Sequence, residues 1–532
     1  MGLLLGGGGC LLLVQKYLSP RWRQRLPLGL MLVAMVAWLV MRWFPGTIGR
    51  WWLWQAPLGL ETALGLQWDG WAWLAGWLVF IAGVAALSLP TWGCRPGFVS
   101  HRFWTPFLTA AALLVLTSAT WTTLLVGWAL LLFSTGMLAG TPSSAAPRAW
   151  TFLLAAGLFL WLAPLFNGLG ALDVVLSTSP LNLQAQLLLS LAVVIVAGIY
   201  PFHSWLASHP PRASGSQLVL HTIPALVAFH LISRFQVPLL ESFSWIALAI
   251  TGLLGSAMAA WATDDDHRAW VYVAINRATW AMLVISLSRA HGAYRGLFPL
   301  AALGIGFVIW GLAPRLERPW LRWLTLFFLM GFPLTPGFLP NLDVSQLATS
   351  VRGFPVWMLV LLSQTLIVAT ILRPDMFVSH PAVAKASPNK EGDFLPRGLR
   401  VWLLVLAIAF GLWWGGFPAA LTTTAGLTPQ GVLASAWAQM RAAGLLTGWI
   451  TLLLPMLMGG LLVRWRGRLF AGQEAWLAKA ASIASLDWLI RLGRTGLHYA
   501  ALVVGFGAEI FDGAGQFGWV LLILLILWLF FR

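Results

Sequence analysis

The stretch Tyr200-Pro-Phe-His-Ser-Trp-Leu-Ala-Ser-His-Pro-Pro-Arg-Ala-Ser-Gly-Ser-Gln-Leu-Val-Leu-His221 decides how the chain must fold. An apolar run from about Leu187 to Ile199 meets Pro201 and resumes for a short turn. It then crosses a polar segment at Ser208 to Ser214 and enters a second apolar run that carries His221, with His203 and His209 read as loop residues. Proline removes a backbone donor, and a carbonyl left unpaired in hydrocarbon costs several kcal/mol. Such a break is tolerated at membrane depth only inside protein or beside a hydrated cavity, which points to an ion path. A loop with a proline at its edge is the plain alternative.

The rest of the chain supplies the membrane. Of its 532 residues 59% are hydrophobic and only 9% charged, with a mean hydropathy of +0.83. Apolar segments of about 17–25 residues recur from end to end, so the expected fold is an all-α polytopic membrane protein with about 14 to 16 spanning helices. The net charge of +16 does not indicate nucleic acid, because the basic residues sit between spans. With the N-terminus outside, alternate loops carry 23 Lys and Arg residues against eight on the other side. That excess marks the cytoplasmic face of a bacterial-type inner, or thylakoid-like, membrane. Cys10 and Cys94 fall in different settings and imply neither a disulfide nor a thiolate metal site. The first helix, Gly2 to about Leu18, lacks a basic leader and reads as a retained span.

Four segments follow from the pattern: N-terminal helices over 1–120, a core over 121–350, C-terminal helices over 351–463, and a terminal segment over 464–532. Phe44 to Gly70 is too polar to span and suits an outer-face hairpin or interfacial segment. A helix from Ala269 to Leu287 holds Arg277 well inside its apolar length, where a charge marks a path, a partner carboxylate or carbonyl, or a snorkelling side chain. Tyr272, five residues earlier, suits an interface position or a water-linked pairing with Arg277.

A second broken element runs from Leu324 to Asn341 and contains Gly331, Pro333, Pro336 and Gly337, which cannot continue as regular helix. Paired interrupted helices point to a transport site, and the two breaks are expected to face each other across a hydrated interior. Arg373 to Arg400 is a long polar connector, Arg464 to Arg494 a basic amphipathic lateral helix, and Phe517 to Phe531 a final apolar span.

Pro201-Phe-His-Ser-Trp-Leu206 followed by Leu218-Val-Leu-His221 resembles the signature of the antiporter-like membrane subunits. That family is shared by respiratory complex I, multisubunit Mrp-type cation/proton antiporters and membrane-bound hydrogenases. Asp265-Asp-His-Arg268 with Tyr272, and Gly331-Phe-Pro-Leu-Thr-Pro-Gly-Phe338, resemble two further family motifs in the same order. The resemblance is clearest over about Trp121 to Leu347.

It implies a proton or sodium path along the mid-plane of a subunit that works with other membrane subunits. The family's path uses a glutamate in helix five, lysines in helices seven and eight or a histidine in eight, and a lysine or glutamate after the second break. Carried over, these positions fall on or near Ala129, Val196 and Asn341, and only His221 matches. The chain has four lysines, Lys16, Lys385, Lys390 and Lys479, none in the core. His230 is a further candidate carrier, since imidazole titrates near neutral pH.

No redox centre or cofactor is expected in this chain, and enzymatic activity stays open as that of a subunit in an NADH- or ferredoxin-quinone oxidoreductase. The functional expectation is an antiporter-like subunit of a larger assembly, conducting by a reduced path or retained as a scaffold. The alternative is the membrane subunit of an inorganic-carbon uptake complex coupled to ion flow.

Overall fold

The structure is a computed structural model. It describes residues 1–43, 49–55, 61–89, 101–139, 146–168, 176, 180–207, 214–235, 237–288, 294–313, 318, 320–373, 397–429, 432, 435–442, 446–469, 474–486, 488, 491–493, 495, 496, 498, 499, 501 and 502. Cys94, His209, Arg212, most of the polar connector and the apolar segment Phe517 to Phe531 lie outside the described residues.

Helices account for nearly all of it. They are α1 (Gly2–Val14), α2 (Pro20–Val40), α3 (Gly70–Ser88), α4 (His101–Leu116), α5 (Trp121–Ala139), α6 (Ala146–Phe166), α7 (Leu183–Val196), α8 (Ser204–Ala207), α9 (Ser214–Phe235), α10 (Phe243–Ala262) and α11 (Asp266–Leu287). Then come α12 (Tyr294–Leu312), α13 (Trp320–Leu329), α14 (Phe338–Ser345), α15 (Gly353–Ile371), α16 (Arg397–Gly416), α17 (Pro418–Thr424), α18 (Ala436–Ala442), α19 (Leu446–Leu469) and α20 (Glu474–Ala484). Among the described residues ten helices are long and apolar enough to cross a membrane, and five shorter apolar helices add to them. The chain is an integral, all-α polytopic membrane protein.

Burial sorts these helices. The apolar windows of α3, α9 and α11 are each 89% covered by protein, whereas those of α2 and α19 are only 28% covered. In lipid both kinds can be apolar all round, so the core helices are distinguished by coverage rather than by composition. α3 and α7 begin on polar caps: Asp69 Oδ1 accepts from Ala72 N at 2.6 Å, and Asn182 Oδ1 from Ala185 N at 2.9 Å. Each removes an orphan amide from a helix start.

The expected hairpin is present. β1 (Gly49–Gln55) pairs antiparallel with β2 (Glu61–Leu66), with Trp54 opposite Thr62. Its second strand docks on the α4–α5 turn, where Leu66 bridges Ser118 and Gly65 N donates to Thr123 Oγ1 at 2.8 Å. A side chain at Gly65 would come within 2.9 Å of Thr120 Cγ2, so the close approach requires glycine.

Loops that the basic residues group together also meet in space. Arg373 donates to the carbonyls of Ala260, Trp261 and Thr263 at the end of α10. Arg466 pairs with Asp264 at 3.1 Å. These contacts gather the loops after α10, α15 and α19 on one basic face. On the opposite face Arg42 donates to Thr423 O and Arg234 Nη2 to Gln67 Oε1 at 3.1 Å.

One boundary differs from expectation. Arg464 to Leu469 continues α19 rather than opening a lateral helix, because nothing in Arg-Trp-Arg-Gly-Arg-Leu forces a helix end. α20 then packs along α10, with Ala484 in the core.

Candidate functional site

Both interruptions are real, and the chain satisfies their backbone groups in different ways. At the first, α7 stops at Val196, and Gly198 takes φ +64, a conformation in which an added Cβ would collide with Leu206 Cδ1. The freed carbonyls are taken up locally: Ala197 N donates to Val193 O, Ile199 N to Val194 O, and Gly198 N to Ile195 O at 3.1 Å. Trp205 Nε1 adds a second bond to Ile195 O at 2.9 Å. The motif tryptophan therefore folds α8 back on the end of α7, and the Tyr200–Pro201 peptide between them is cis.

His203, placed in a loop by the sequence reading, is instead wholly buried within this break. Its ring stacks on Tyr200 at 4.8 Å and 9°, and lies 5.5 Å from the ring of Tyr272. Its nearest polar neighbour is the Pro201 backbone, and neither ring nitrogen makes a well-aligned hydrogen bond among the described residues. The sequence signal that could have found it is Tyr200 three residues earlier, since an aromatic and an imidazole on one tight turn can stack only where the turn packs against protein.

At the second interruption α13 ends at Leu329 and α14 begins at Phe338, with Pro333 and Pro336 in the turns between and Gly337 as the N-cap residue of α14. Gly331 has φ +67 and Leu334 φ +74. A Cβ on Gly331 would meet Gly337 O and Asn341 Nδ2 at 2.6 Å. Gly331 N and Phe332 N recapture Phe328 O and Phe327 O locally, and the carbonyls beyond them are met by side chains. Asn341 Nδ2 donates to Met330 O at 2.6 Å and to Gly331 O at 3.1 Å, and Arg277 Nη1 donates to Leu329 O at 3.1 Å.

Arg277 is 3% exposed and its remaining bonds are to neutral groups. Nη2 donates to Asn276 Oδ1 at 2.5 Å and to Gln364 Oε1 on α15 at 3.0 Å. Asn276 Nδ2 in turn donates to Leu253 O, Ser256 Oγ and Ser363 Oγ. A guanidinium at the C-terminal end of a half-helix sits where the backbone dipole favours positive charge. Of the alternatives the sequence left open, the carbonyl partner is the one found. Guanidinium stays protonated in proteins, so Arg277 is a fixed charge spread over amide and carbonyl dipoles.

The two breaks do not simply face one another, as expected from sequence; each rests on α11. Tyr272 meets the first through His203, and Arg277, five residues on, meets the second through Leu329. Tyr272 is 5% exposed and so is no interface residue. His221 on α9 is buried with its ring edge against Trp270 at 5.5 Å, on the same helix as Tyr272. His230, also buried, lies against Trp71 at 5.2 Å, nearer the face that carries Arg234 and Gln67.

Of the positions aligned with lost charges, Val196 and Asn341 are buried. Ala129, by contrast, is exposed on the outside of α5. The inward residues around it are Leu125, Trp128 and Leu132, so that slot is apolar whichever of them fills it. No Lys, Asp or Glu is buried among the described residues, and no group of three His, Cys, Asp or Glu there could hold a metal ion.

No family model matches the sequence, and no curated protein does. Solved structures do. A chain of the Mrp complex from Dietzia sp. DQ12-45-1b superposes with a TM-score of 0.72 over 98% of this chain at 17% identity. A chain of the membrane-bound sulfane sulfur reductase, an archaeal respiratory membrane complex, superposes with a TM-score of 0.69 over 99% of this chain and 98% of that one, at 13% identity. The fold is that of membrane chains in these complexes. A chain of respiratory complex I from Thermus thermophilus with bound Aureothin, at 20% identity, agrees over 79% of this chain and 97% of that one with a TM-score of 0.57. The chain spans 62% of the length of the Mrp-complex chain.

Proposed function

We propose that the protein is an antiporter-like membrane subunit of a larger complex I-like or Mrp-like assembly. In it the family's titrating amine and carboxylate groups have been replaced by one fixed charge and a short set of imidazoles. The observation that carries this reading is the Arg277 cluster: a buried cation bonded to Asn276, Gln364 and Leu329 O, in a core with no buried Lys, Asp or Glu among the described residues. Lysine–glutamate pumping works by shifting the pKa of a buried amine through a neighbouring carboxylate, and neither partner is in place.

The imidazoles left beside the helix that carries Arg277 are His203 and His221, placed against its Tyr272 and Trp270. Protons pass by this reduced path, while Arg277 repels cations from the second break and so confines them to the first. The basic face, with the loops after α10, α15 and α19, is the cytoplasmic one by the excess of Lys and Arg. Partners are other membrane subunits and the surrounding lipid.

Two experiments test this. Purification from membranes in mild detergent should recover the chain with companion subunits, and recovery as a lone stable monomer would overturn the subunit reading. Reconstitution of the assembly in vesicles, with proton flux followed by a pH-sensitive dye, should show lower flux for His221→Ala and for Arg277→Gln. Unchanged flux in both removes the path.

A further inference from the structure

The α1–α2 hairpin holds a feature that the ion path does not use. Between these two helices lies a cavity of about 550 Å³, lined by Gly7, Cys10, Trp22, Arg25, Gly29 and Leu30 among others. Its size falls within the range of roughly 300–1,000 Å³ common for small-ligand sites. The interior is apolar, and the charged side chain in its lining is Arg25, at the end near the basic face. Exposed Lys16, Arg23 and Trp22 surround that end, and the first acidic residue of the chain is Glu61. Arg23 is tied to the end of α1, donating to Leu18 O at 2.8 Å and to Lys16 O at 3.1 Å. No carboxylate pairs with Arg25 among the described residues.

We propose that this groove binds one acyl chain of an anionic phospholipid, whose phosphate rests on Arg25 with Lys16 and Trp22 beside it. Three observations fix the occupant. The helical rise from Gly7 to Val14 covers about 10 Å, and the turn at Gln15 to Leu18 carries the groove to the basic face; its depth is thus roughly one leaflet, half of a hydrocarbon core of about 30 Å. The wall is apolar where a tail would lie and cationic where a headgroup would lie, which is complementary to an anionic lipid and indifferent to a zwitterionic one. Gly7 packs closely on Leu30, whereas Gly29 leaves room: a Cβ there would meet nothing within 4 Å. The site is independent of any ion movement.

Cys10, exposed in the groove, is a built-in reporter. The intact assembly carrying Cys94→Ser is delipidated in detergent and labelled with N-ethylmaleimide, alone or with dioleoyl phosphatidylglycerol or dioleoyl phosphatidylcholine. Occupancy protects a site in proportion to 1 + [L]/Kd, so phosphatidylglycerol well above its Kd should slow labelling about tenfold and phosphatidylcholine little. Arg25→Gln should weaken the phosphatidylglycerol effect about fivefold, as expected for one basic residue near ~1 kcal/mol.

Gly29→Leu places a branched side chain in the groove from a position where a Cβ meets no neighbour, so its own lipid-free labelling rate should no longer respond to either lipid. Equal protection by both lipids means an ordinary annular shell and overturns the proposal, as does protection by neither. Slow labelling in the lipid-free assembly that is released on stripping a companion subunit overturns it too, by showing that a partner helix holds the groove.

Discussion

The two broken helices share one device and differ in a second. At Val196 to Ser204 the carbonyls of α7 are recaptured within a dozen residues, by Ala197, Gly198, Ile199 and the Trp205 indole. At Met330 to Phe338, Gly331 N and Phe332 N do the same for Phe328 O and Phe327 O, but Met330 O and Gly331 O are held by the Asn341 side chain and Leu329 O by Arg277, 52 residues away along the chain. The local solution leaves a buried imidazole in the break with no described hydrogen-bond partner; the long-range solution uses its polar side chains as clamps and leaves none that titrates near neutral pH. A break secured from within can keep a chemical group in reserve. One secured from outside becomes part of the scaffold.

The second break should therefore be the more fragile to single substitutions. Arg277→Leu leaves Leu329 O, Asn276 Oδ1 and Gln364 Oε1 without their donor, at a cost of about 3 kcal/mol or more, because each buried acceptor loses a bond it cannot remake with water. Its fall in thermal midpoint, measured on the purified assembly, should exceed that of every other substitution at the two breaks. Arg277→Lys keeps the charge but not the planar fork, so it should recover part of that loss, with about 1–2 kcal/mol remaining. Equal midpoints for the two would show that charge, not geometry, secures the break. Asn341→Leu comes next, at about 2 kcal/mol, since Met330 O and Gly331 O both lose the amide.

Much of this is legible in the residues and some is not. Helix number, both breaks, the hairpin near Phe44 to Gly70 and the alternation of basic loops all follow from apolar run length and from Pro and Gly, which act locally. The differences share a cause. In a membrane a helix can be apolar on every side, so period and composition do not say which face meets protein; the motif register points to Ala129 as the inward slot, whereas Trp128 and Leu125 face in. The role of α11 is equally hidden, because the bonds from Arg277 to Leu329 and Gln364 span 52 and 87 residues. His203 reads as loop because it follows a proline, whereas the stack on Tyr200 buries it.

At the first break the expected stability effects are smaller. Trp205→Phe removes the Nε1 bond but keeps the aromatic packing, and Ile195 O retains its bond from Gly198 N. A loss of about 1 kcal/mol is expected, close to the net value of one hydrogen bond. A loss as large as that of Arg277→Leu would mean that the first break depends on its side-chain clamp as heavily as the second, and the contrast between the two would fail.

His203→Phe sharpens the comparison most, through the smallest change in stability. The ring stacks on Tyr200 and leans on Tyr272, contacts that a phenyl ring can reproduce, and its nitrogens hold no well-aligned hydrogen bond among the described residues, only a weak approach to the Pro201 backbone. The midpoint should stay within about 1 kcal/mol of the parent, as for a near-isosteric core exchange. Proton flux through the reconstituted assembly should nevertheless fall several-fold, since the substitution removes a proton-accepting group and little else. Full flux at full stability would mean that the first break is as static as the second. Conduction, if retained, would then run through His221 along the other side of α11.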